Sequence, residues 1–524
     1  MRDFQLPGRS PVMAMNGICA TSNPLAAKVA VEMLESGGNA VDAAIAAAVL
    51  LGITEPQSTG IGGDCFALIS EPGKPVRALN ASGRAPAGLD ADALRAKGPV
   101  MEEFSADAVT LPGAVDGFVT LSEAFGRKGI DACLAPAICH AEDGIPVGAR
   151  TAFDWDIAQG TLRGDARRFL LANDRPYRFG QIYRAPMQAD VLRRIARQGR
   201  AGFYEGEVAD DMVASLNALG GCHTHADFAA VKADWTDPIV GEYRGVDLIE
   251  HPPNGQGATA ILIANILSHF DISSLDPTGP ARTHLQAEAA KLAYDARDRF
   301  VADPDHATRI GHMIADETAA ALAALIDPKR AMVSAARASE AIHKDTVLVT
   351  VIDKDRMAVS LIYSIFESFG SGLASAKFGI NFHNRGAGFT LQPGHPNEAG
   401  PRKRPLHTII PALLGRNGQI FGAFGVMGGQ FQPVGHAQIL SNLTDYDMDP
   451  QEALDAPRSF PENGELRVER GYSAATRAAL TDMGHKVVTP LKPHGGGQVI
   501  LIDPDTGALV AGSDPRKDGC ALGY

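Results

Sequence analysis

The feature that most constrains this chain is an abrupt change of character at Thr346. The residues before it, 327–344, are polar and alanine-rich, which is typical of an exposed segment that tolerates cleavage. From Thr346 to Ile352 the sequence is β-branched and apolar, which predicts a buried strand that begins at a threonine. If the bond between Asp345 and Thr346 is cut, Thr346 gains a free α-amino group beside its hydroxyl. Such an amine can act as the base for its own side chain, so the pattern predicts an N-terminal threonine nucleophile.

Composition and charge narrow the class of protein. The 524 residues are 45% hydrophobic and 21% charged, as in an ordinary globular protein, and the net charge is −13. This negative charge argues against nucleic acid and anionic membrane as partners. The six cysteines are scattered without a CxxC pair, and the N-terminus has no apolar leader, so we expect a cytoplasmic protein. The apolar stretch 40–53 is too short to span a bilayer and predicts a buried helix.

Helical patterns dominate the chain from about residue 110 to residue 325, and strand patterns dominate from residue 346 onward. The predicted helices are 24–35, 39–51, 114–125, 188–198, 207–219, 281–300, 316–325 and 438–443. The predicted strands are 65–69, a short pair within 235–250, 346–352, 357–363, 379–382, 408–414, 420–424 and 498–503.

Two patterns that look like ligand sites have simpler explanations. The glycine-rich loop 54–64 does not match GxxxxGK[ST], and it precedes a strand where a dinucleotide fingerprint would follow one, so we reject nucleotide binding. The group Cys222-His223-Thr224-His225 with Asp227 matches no standard zinc spacing. Thr224 and Asp227 instead predict the N-terminal cap of a short helix. We expect no metal and no organic cofactor in the reaction.

Two other stretches are candidates for binding a reacting group. The pair Gly428-Gly429 follows a predicted strand and precedes a predicted helix, so its unhindered N–H groups are suited to hold an oxyanion, with an ordinary turn as the alternative. Arg84 lies in the loop 80–88, where its guanidinium can clamp a substrate carboxylate in two-point fashion. A surface or structural arginine is the alternative for Arg84.

A series of short motifs follows one another along the chain in a fixed order. They are Ser22-Asn23-Pro24, Gly37-Gly38-Asn39-Ala40-Val41-Asp42-Ala43-Ala44, Ser58-Thr59-Gly60-Ile61-Gly62-Gly63, Phe203-Tyr204-Glu205-Gly206, Asp345-Thr346, Phe369-Gly370-Ser371-Gly372, Lys403-Arg404-Pro405-Leu406, Gly428-Gly429 and Ser513-Asp514-Pro515-Arg516. In this order they resemble the γ-glutamyltranspeptidase (glutathione hydrolase) family over nearly the whole chain. The resemblance implies a layered α+β protein with the αββα N-terminal nucleophile (Ntn) hydrolase fold.

The resemblance also implies that the chain is a precursor that cleaves itself between Asp345 and Thr346. Residues 1–345 would form a large subunit and residues 346–524 a small one, intertwined in one structural unit. A homodimer of such two-chain units is compatible with this pattern. Thr346 matches the nucleophile of the family, and Gly428 and Gly429 match its oxyanion pair.

The substrate pocket departs from the pattern of γ-glutamyl enzymes. Val347-Leu348 replace Thr-His, Ser364 and Phe366 replace a Thr and an Asn, Arg385 and Gly388 replace a Gln and an acid that hold the α-amino group, and His407-Thr408 replace a Ser-Ser pair that holds the α-carboxylate. Arg84 directly precedes Ala85-Pro86, whereas the arginine of the family lies three residues before Ala-Pro. Losing an acid and gaining Arg385 replaces attraction for an ammonium group by repulsion, which costs several kcal/mol when desolvated.

These changes favour an amide that carries a bare carboxylate, and they resemble the branch of the family that includes oxamate amidohydrolase. We therefore predict an amidohydrolase acting on a small-molecule, oxamate-like amide. Arg385, His407, Thr408 and Arg84 are predicted to position the carboxylate, and Ser364 to hydrogen-bond the amine of Thr346. Two alternatives stay open: a γ-glutamyltransferase or glutathione hydrolase with a remodelled pocket, and an uncleaved, non-catalytic binding protein.

Overall fold

The computed structural model describes residues 4–5, 8–332 and 346–524, and its centre is a pair of seven-stranded antiparallel sheets. In chain order the described strands are β1 Val12–Ala14, β2 Ile18–Thr21, β3 Asp64–Ser70, β4 Arg77–Ala81, β5 Ile145–Pro146, β6 Ile182–Tyr183, β7 Asp234–Thr236, β8 Ile239–Tyr243, β9 Val246–Glu250, β10 Val347–Ile352, β11 Ala358–Ser364, β12 Ala412–Arg416, β13 Gln419–Met427, β14 Ser459–Glu462, β15 Glu465–Val468, β16 Val487–Val488, β17 Gly496–Ile502, β18 Leu509–Ser513 and β19 Cys520–Gly523.

The α-helices of the described residues cover the outer faces of these sheets. They are α1 Pro24–Glu35, α2 Ala40–Thr54, α3 Ala91–Lys97, α4 Ala114–Phe125, α5 Ile130–Asp143, α6 Ala149–Ala158, α7 Asp165–Leu170, α8 Pro186–Gln198, α9 Ala201–Tyr204, α10 Gly206–Ala218, α11 His225–Ala229, α12 Gly257–Leu267, α13 Pro280–Phe300, α14 Ile310–Met313, α15 Asp316–Ala323, α16 Gln432–Thr444, α17 Pro450–Asp455 and α18 Ala474–Asp482.

The layers follow the order helix, sheet, sheet, helix. One sheet has the strand order β1-β18-β17-β13-β12-β9-β8, and the other has the order β19-β2-β10-β11-β3-β4-β7. Helices α1, α2 and α4 pack on the second sheet, and α12 and α16 pack on the first. Between the sheets, Leu68 and Ile352 of one sheet share a buried apolar cluster with Leu413 and Ile500 of the other. The αββα Ntn-hydrolase fold predicted from the sequence is therefore confirmed.

Strand β10 lies in the middle of the second sheet, between β2 and β11. All six of its residues are buried, because helices cover one face of the sheet and the other sheet covers the opposite face. Val347 is paired with Tyr363, so Thr346, one residue earlier, lies beside the end of β11. Residues 346–524 supply strands to both sheets, as do residues 8–332, so the two predicted subunit regions interleave.

Most of the predicted helices and strands are confirmed within a few residues. The predictions 24–35 and 114–125 coincide with α1 and α4. Thr224 caps α11 in a capping box with Asp227, as predicted for the pattern near Cys222. The stretch 235–250 forms part of three strands, β7 to β9, where a pair was expected. Among the described residues, no helix combines the length and apolar character needed to cross a membrane.

The predicted strand 379–382 is wrong, because this segment is a buried loop. Gly379 has φ +64°, and the N–H of Phe382 donates to the carbonyl of Leu373 in the same loop at 3.0 Å. The ring of Phe169 packs against Gly379, so the apolar residues are buried by loop and helix packing without joining a sheet. The strand predicted at 408–414 begins only at Ala412, since the N–H of Ile410 donates to the Gln432 side chain at 2.9 Å.

Candidate active site

Thr346 lies in the buried interior at the head of β10. It is 1% exposed, and its Oγ1 is 3.3 Å from Oγ of Ser364, the last residue of β11. The antiparallel register brings these two hydroxyls together. The last pair between β10 and β11 is Val347 with Tyr363, and Thr346 and Ser364 are the next residue on each strand. Asp345, the other residue of the predicted cleavage site, lies outside the described residues.

Arg385 connects the predicted site residues to one another. Its side chain is fully buried, Nη2 donates to Ser364 Oγ at 3.1 Å, and Nη1 donates to Thr408 Oγ1 at 3.0 Å. The guanidinium carbon lies 4.2 Å from the ring centroid of Phe366, which is within the range of a cation–π contact. Thr346, Ser364, Arg385 and Thr408 therefore form one connected polar group.

The buried charge of Arg385 has no bound counter-ion among the residues that the structure describes. In the part of the chain that the structure describes, no carboxylate oxygen lies within 4.0 Å of its guanidinium, and Nε has no hydrogen-bond partner. Burial lowers the pKa of Arg385 to about 9, against the opposite influence of the more distant Asp64 and Glu367. The side chain is thus a cation at neutral pH. A desolvated cation is costly unless an anion pairs with it, so this position is suited to bind one.

His407 is held by a buried carboxylate next to this group. Its Nε2 lies 3.2 Å from Oδ2 of Asp64, which also lies 3.2 Å from Nδ1 of His383. Burial opposes ionisation of Asp64, but the two imidazoles outweigh it and hold the pKa of Asp64 below its usual range. Burial, followed by the positive charge of Arg385, lowers the pKa of His407 to about 3. His407 is therefore neutral with its proton on Nε2, and its buried Nδ1 offers a lone pair.

The Gly428-Gly429 pair turns the chain from β13 toward α16. The two residues have φ +115° and +56°, values that favour glycine, and a Cβ on Gly428 would lie 2.7 Å from Cα of Gly495. Nε2 of Gln256 donates to the carbonyls of Thr408 at 2.8 Å and Gly429 at 3.0 Å. The side-chain amide of Gln256 therefore links the glycine turn to Thr408, whose hydroxyl accepts a hydrogen bond from Arg385.

Arg84 is the predicted site residue that the structure does not bring into this group. Its side chain is 38% exposed, and Nη1 donates to Asp303 Oδ2 at 3.3 Å and to the carbonyl of Arg402 at 3.1 Å. Nη2 also lies 3.7 Å from Asp234. These contacts are those of a structural arginine, the alternative that the sequence left open. A substrate role for Arg84 stays a prediction.

Three residues of the site were not singled out from the sequence: Asp64, His383 and Gln256. Asp64 follows Gly62-Gly63 and opens a strand whose seven residues are all buried. An acid in such a strand is a signal for a functional or paired carboxylate. His383 and Gln256 lie in loops, and no local pattern distinguishes them from loop residues that only pack.

A two-sheet core with helices on both sides, and a buried threonine at the head of a central strand, defines the class of Ntn-type amide hydrolases. A family model described as gamma-glutamyltranspeptidase matches residues 26–524. The chain belongs to the gamma-glutamyltranspeptidase family, as the sequence motifs predicted.

Relatives and a solved structure agree with this assignment. The chain is 33% identical over 520 residues to the glutathione hydrolase-like YwrD proenzyme of Bacillus subtilis (strain 168), covering 95% of this chain and 97% of the relative. It is 31% identical over 530 residues to the oxamate amidohydrolase proenzyme of Klebsiella pneumoniae, covering 98% and 99%. The crystal structure of a cephalosporin acylase from Bacillus halodurans matches with a TM-score of 0.93 and 37% identity, covering 100% of this chain and 99% of that one.

Proposed function

We propose that the protein is a self-processing amidohydrolase that cleaves the amide bond of a small, carboxylated, oxamate-like substrate through an ester on Thr346. The observation that carries the proposal is the buried guanidinium of Arg385. It has no bound carboxylate among the described residues, and it shares the hydroxyl of Ser364 with Thr346.

Maturation would come first. The hydroxyl of Thr346 attacks the carbonyl carbon of Asp345, the peptide becomes an ester by an N→O shift, and water releases the new N-terminus. The products are residues 1–345 and 346–524, which stay folded together through the interleaved sheets. Support comes from the curated relatives, whose names include the word proenzyme.

The mature site would then work by nucleophilic catalysis. The Thr346 amine takes the proton of the Thr346 hydroxyl, whose oxygen attacks the substrate amide carbon. The N–H groups of Gly428 and Gly429 hold the oxyanion, a contribution of about 3–4 kcal/mol per donor in comparable sites. The Thr346 ammonium protonates the departing amine, and water hydrolyses the ester to restore the hydroxyl. Ser364 would hydrogen-bond the Thr346 amine.

The spacing of the cation from the nucleophile favours a short substrate. Because Oγ of Ser364 contacts both Arg385 Nη2 and Thr346 Oγ1, the guanidinium is within two hydrogen-bond lengths of the nucleophile. A carboxylate held there lies close to the attacked carbon, as in oxamate, where the two carbons are directly bonded. In a γ-glutamyl amide three carbons separate them. We assign the carboxylate to Arg385 and Thr408, and a hydrogen-bond donor of the substrate to Nδ1 of His407.

The competing activity is that of a γ-glutamyltransferase or glutathione hydrolase, and a non-catalytic binding protein is the third option. One experiment separates them: ammonia released from oxamate is compared with p-nitroaniline released from a γ-glutamyl anilide, for wild type and Thr346→Ala. We expect Thr346-dependent ammonia release and little p-nitroaniline. Faster release of p-nitroaniline would instead favour the γ-glutamyl enzyme, and no turnover of either substrate would favour the binding protein.

A further inference from the structure

A second cluster of chemically reactive side chains lies outside the candidate active site. His284 and Glu288 are four residues apart on α13 and therefore share one face of the helix. His485 joins them after Gly484, whose φ of +98° reverses the chain behind α18. All three residues are buried, and one potential ligand atom from each lies within 4.8 Å of the others.

His284 has one nitrogen with a lone pair for a metal and a second nitrogen whose N–H is held by a carbonyl. Nε2 of His284 lies 2.8 Å from the carbonyl of Asp327, which can only accept, so Nε2 carries the proton and Nδ1 has a lone pair. That lone pair faces Nε2 of His485 at 2.8 Å. Metal-binding histidines commonly donate their second N–H to a carbonyl in this way.

Glu288 is oriented by a backbone group on one oxygen and by a replaceable cation on the other. Its Oε2 accepts the N–H of Met332 at 2.8 Å, and its Oε1 lies 2.6 Å from Nζ of Lys291. The Lys291 side chain is long and 16% exposed. It can swing away from Oε1 when another cation arrives, while the bond to Met332 keeps the carboxylate in place.

We propose that His284 Nδ1, Glu288 Oε1 and His485 Nε2 bind one divalent transition-metal ion of the zinc type. Two histidines and one glutamate form a known ligand set for zinc. Tetrahedral coordination at about 2.0–2.1 Å places ligand atoms about 3.3 Å apart, so the histidine pair must open by about half an ångström. When the ion binds, the proton of His485 moves from Nε2 to Nδ1, and Nζ of Lys291 moves away from Oε1 of Glu288.

A cavity provides the entry path and room for a water ligand. Its volume is about 310 Å³, and its lining includes Lys291, Met332 and His485. The ion would tie together α13, the turn after α18 and the segment from Asp327 to Met332. The site is independent of the proposed hydrolysis at Thr346, so its occupancy is expected to change stability and not to supply the reaction's nucleophile.

The test is equilibrium dialysis of the full chain against zinc chloride, followed by metal analysis, for wild type, His485→Gln and the control His225→Gln. His225 is an exposed histidine paired with Asp210, which makes it a matched loss of one imidazole. We expect wild type and the control to bind one more equivalent of zinc than His485→Gln. Cobalt should give the visible absorption of a tetrahedral site in wild type and His225→Gln but not in His485→Gln.

A second variant, Glu288→Gln, tests the site independently of any misfolding of His485→Gln. Glu288→Gln keeps an oxygen for the N–H of Met332 but removes the charged ligand, so we expect at least tenfold weaker zinc binding with a native circular dichroism spectrum. Equal zinc stoichiometry in wild type, His485→Gln and Glu288→Gln, without a cobalt band, would overturn the proposal.

Discussion

At the scale of single residues, the proposed function depends most on Arg385. Its guanidinium is fully buried and makes hydrogen bonds only to neutral oxygens among the described residues. Such a charge needs an anionic partner, since an uncompensated buried ion costs several kcal/mol. In the proposed function the substrate carboxylate is this partner, and Thr408 Oγ1 holds the guanidinium by accepting a hydrogen bond from Nη1 at 3.0 Å.

The first prediction concerns this charge. Arg385→Gln should lower kcat/KM for oxamate by about 30-fold to 1,000-fold, because removing one member of a buried charge pair costs about 2–4 kcal/mol. Oxamide, which has the same size and no carboxylate, is the matched control substrate. We expect its slow turnover to change little, as measured by ammonia release. An equal loss on both substrates would show that Arg385 supports the fold of the site and does not select the carboxylate.

The sequence was sufficient to single out Thr346 and Arg385 as candidates, but it did not single out Asp64, His383 or Gln256. A local change from polar to apolar residues indicates Thr346. A departure from a family motif indicates Arg385. Asp64 and Gln256 act through partners at sequence separations of 343 and 152 residues, His407 and Thr408. Such contacts depend on how the two sheets pack, which no local pattern encodes.

At the scale of secondary-structure elements, the glycine turn after β13 places two backbone N–H groups beside α16. Both glycines have positive φ, and the turn packs directly on the backbone of Gly495.

The wrong strand prediction at 379–382 is also explained by the local structure of this segment. Apolar residues indicated burial there, but Gly379 has φ +64°, and the segment forms an isolated bridge between Asn381 and Ala374 of the same loop instead of a sheet strand.

The second prediction compares two glycines with positive φ. Gly428→Ala places a Cβ 2.7 Å from Gly495 Cα, whereas Gly464, at φ +74°, has no atom within 4 Å of an added Cβ. Both variants carry a backbone cost of about 1 kcal/mol. Gly428→Ala should in addition move the turn, with a lower Tm than Gly464→Ala and a loss of about 100-fold or more in kcat. Equal Tm and activity in the two variants would contradict the role of this turn.

At the scale of the whole molecule, a buried acid couples stability to pH. Glu55 directly follows α2 as its C-terminal cap residue and accepts a hydrogen bond from Ser22 at 2.5 Å. Burial, which outweighs the effects of Lys517 and Ser22, raises its pKa from 4.5 to about 7. Below pH 4.5 the carboxyl is protonated in both states and carries no penalty. As pH rises to about 7 the unfolded chain ionises first, so stability falls by on the order of 3 kcal/mol.

The third prediction follows from this loss of stability with rising pH. Glu55→Gln keeps an oxygen for Ser22 and removes the ionisable group, so its Tm should exceed that of wild type by more at about pH 8 than at about pH 5. Differential scanning fluorimetry at the two pH values checks this directly. The same difference in Tm at both values would mean that Glu55 is not protonated in the folded protein near neutral pH.

The fourth prediction, and the most direct test of the central claim, is the intact mass of the purified protein. We predict two chains for wild type, with masses of residues 1–345 and 346–524, and a single uncut chain for Thr346→Ala. Ser364→Ala should still be cut, only more slowly, because its hydroxyl assists the nucleophile without replacing it. A Thr346→Ala protein that still splits, or a wild-type cut at another bond, would contradict Thr346 as the N-terminal nucleophile.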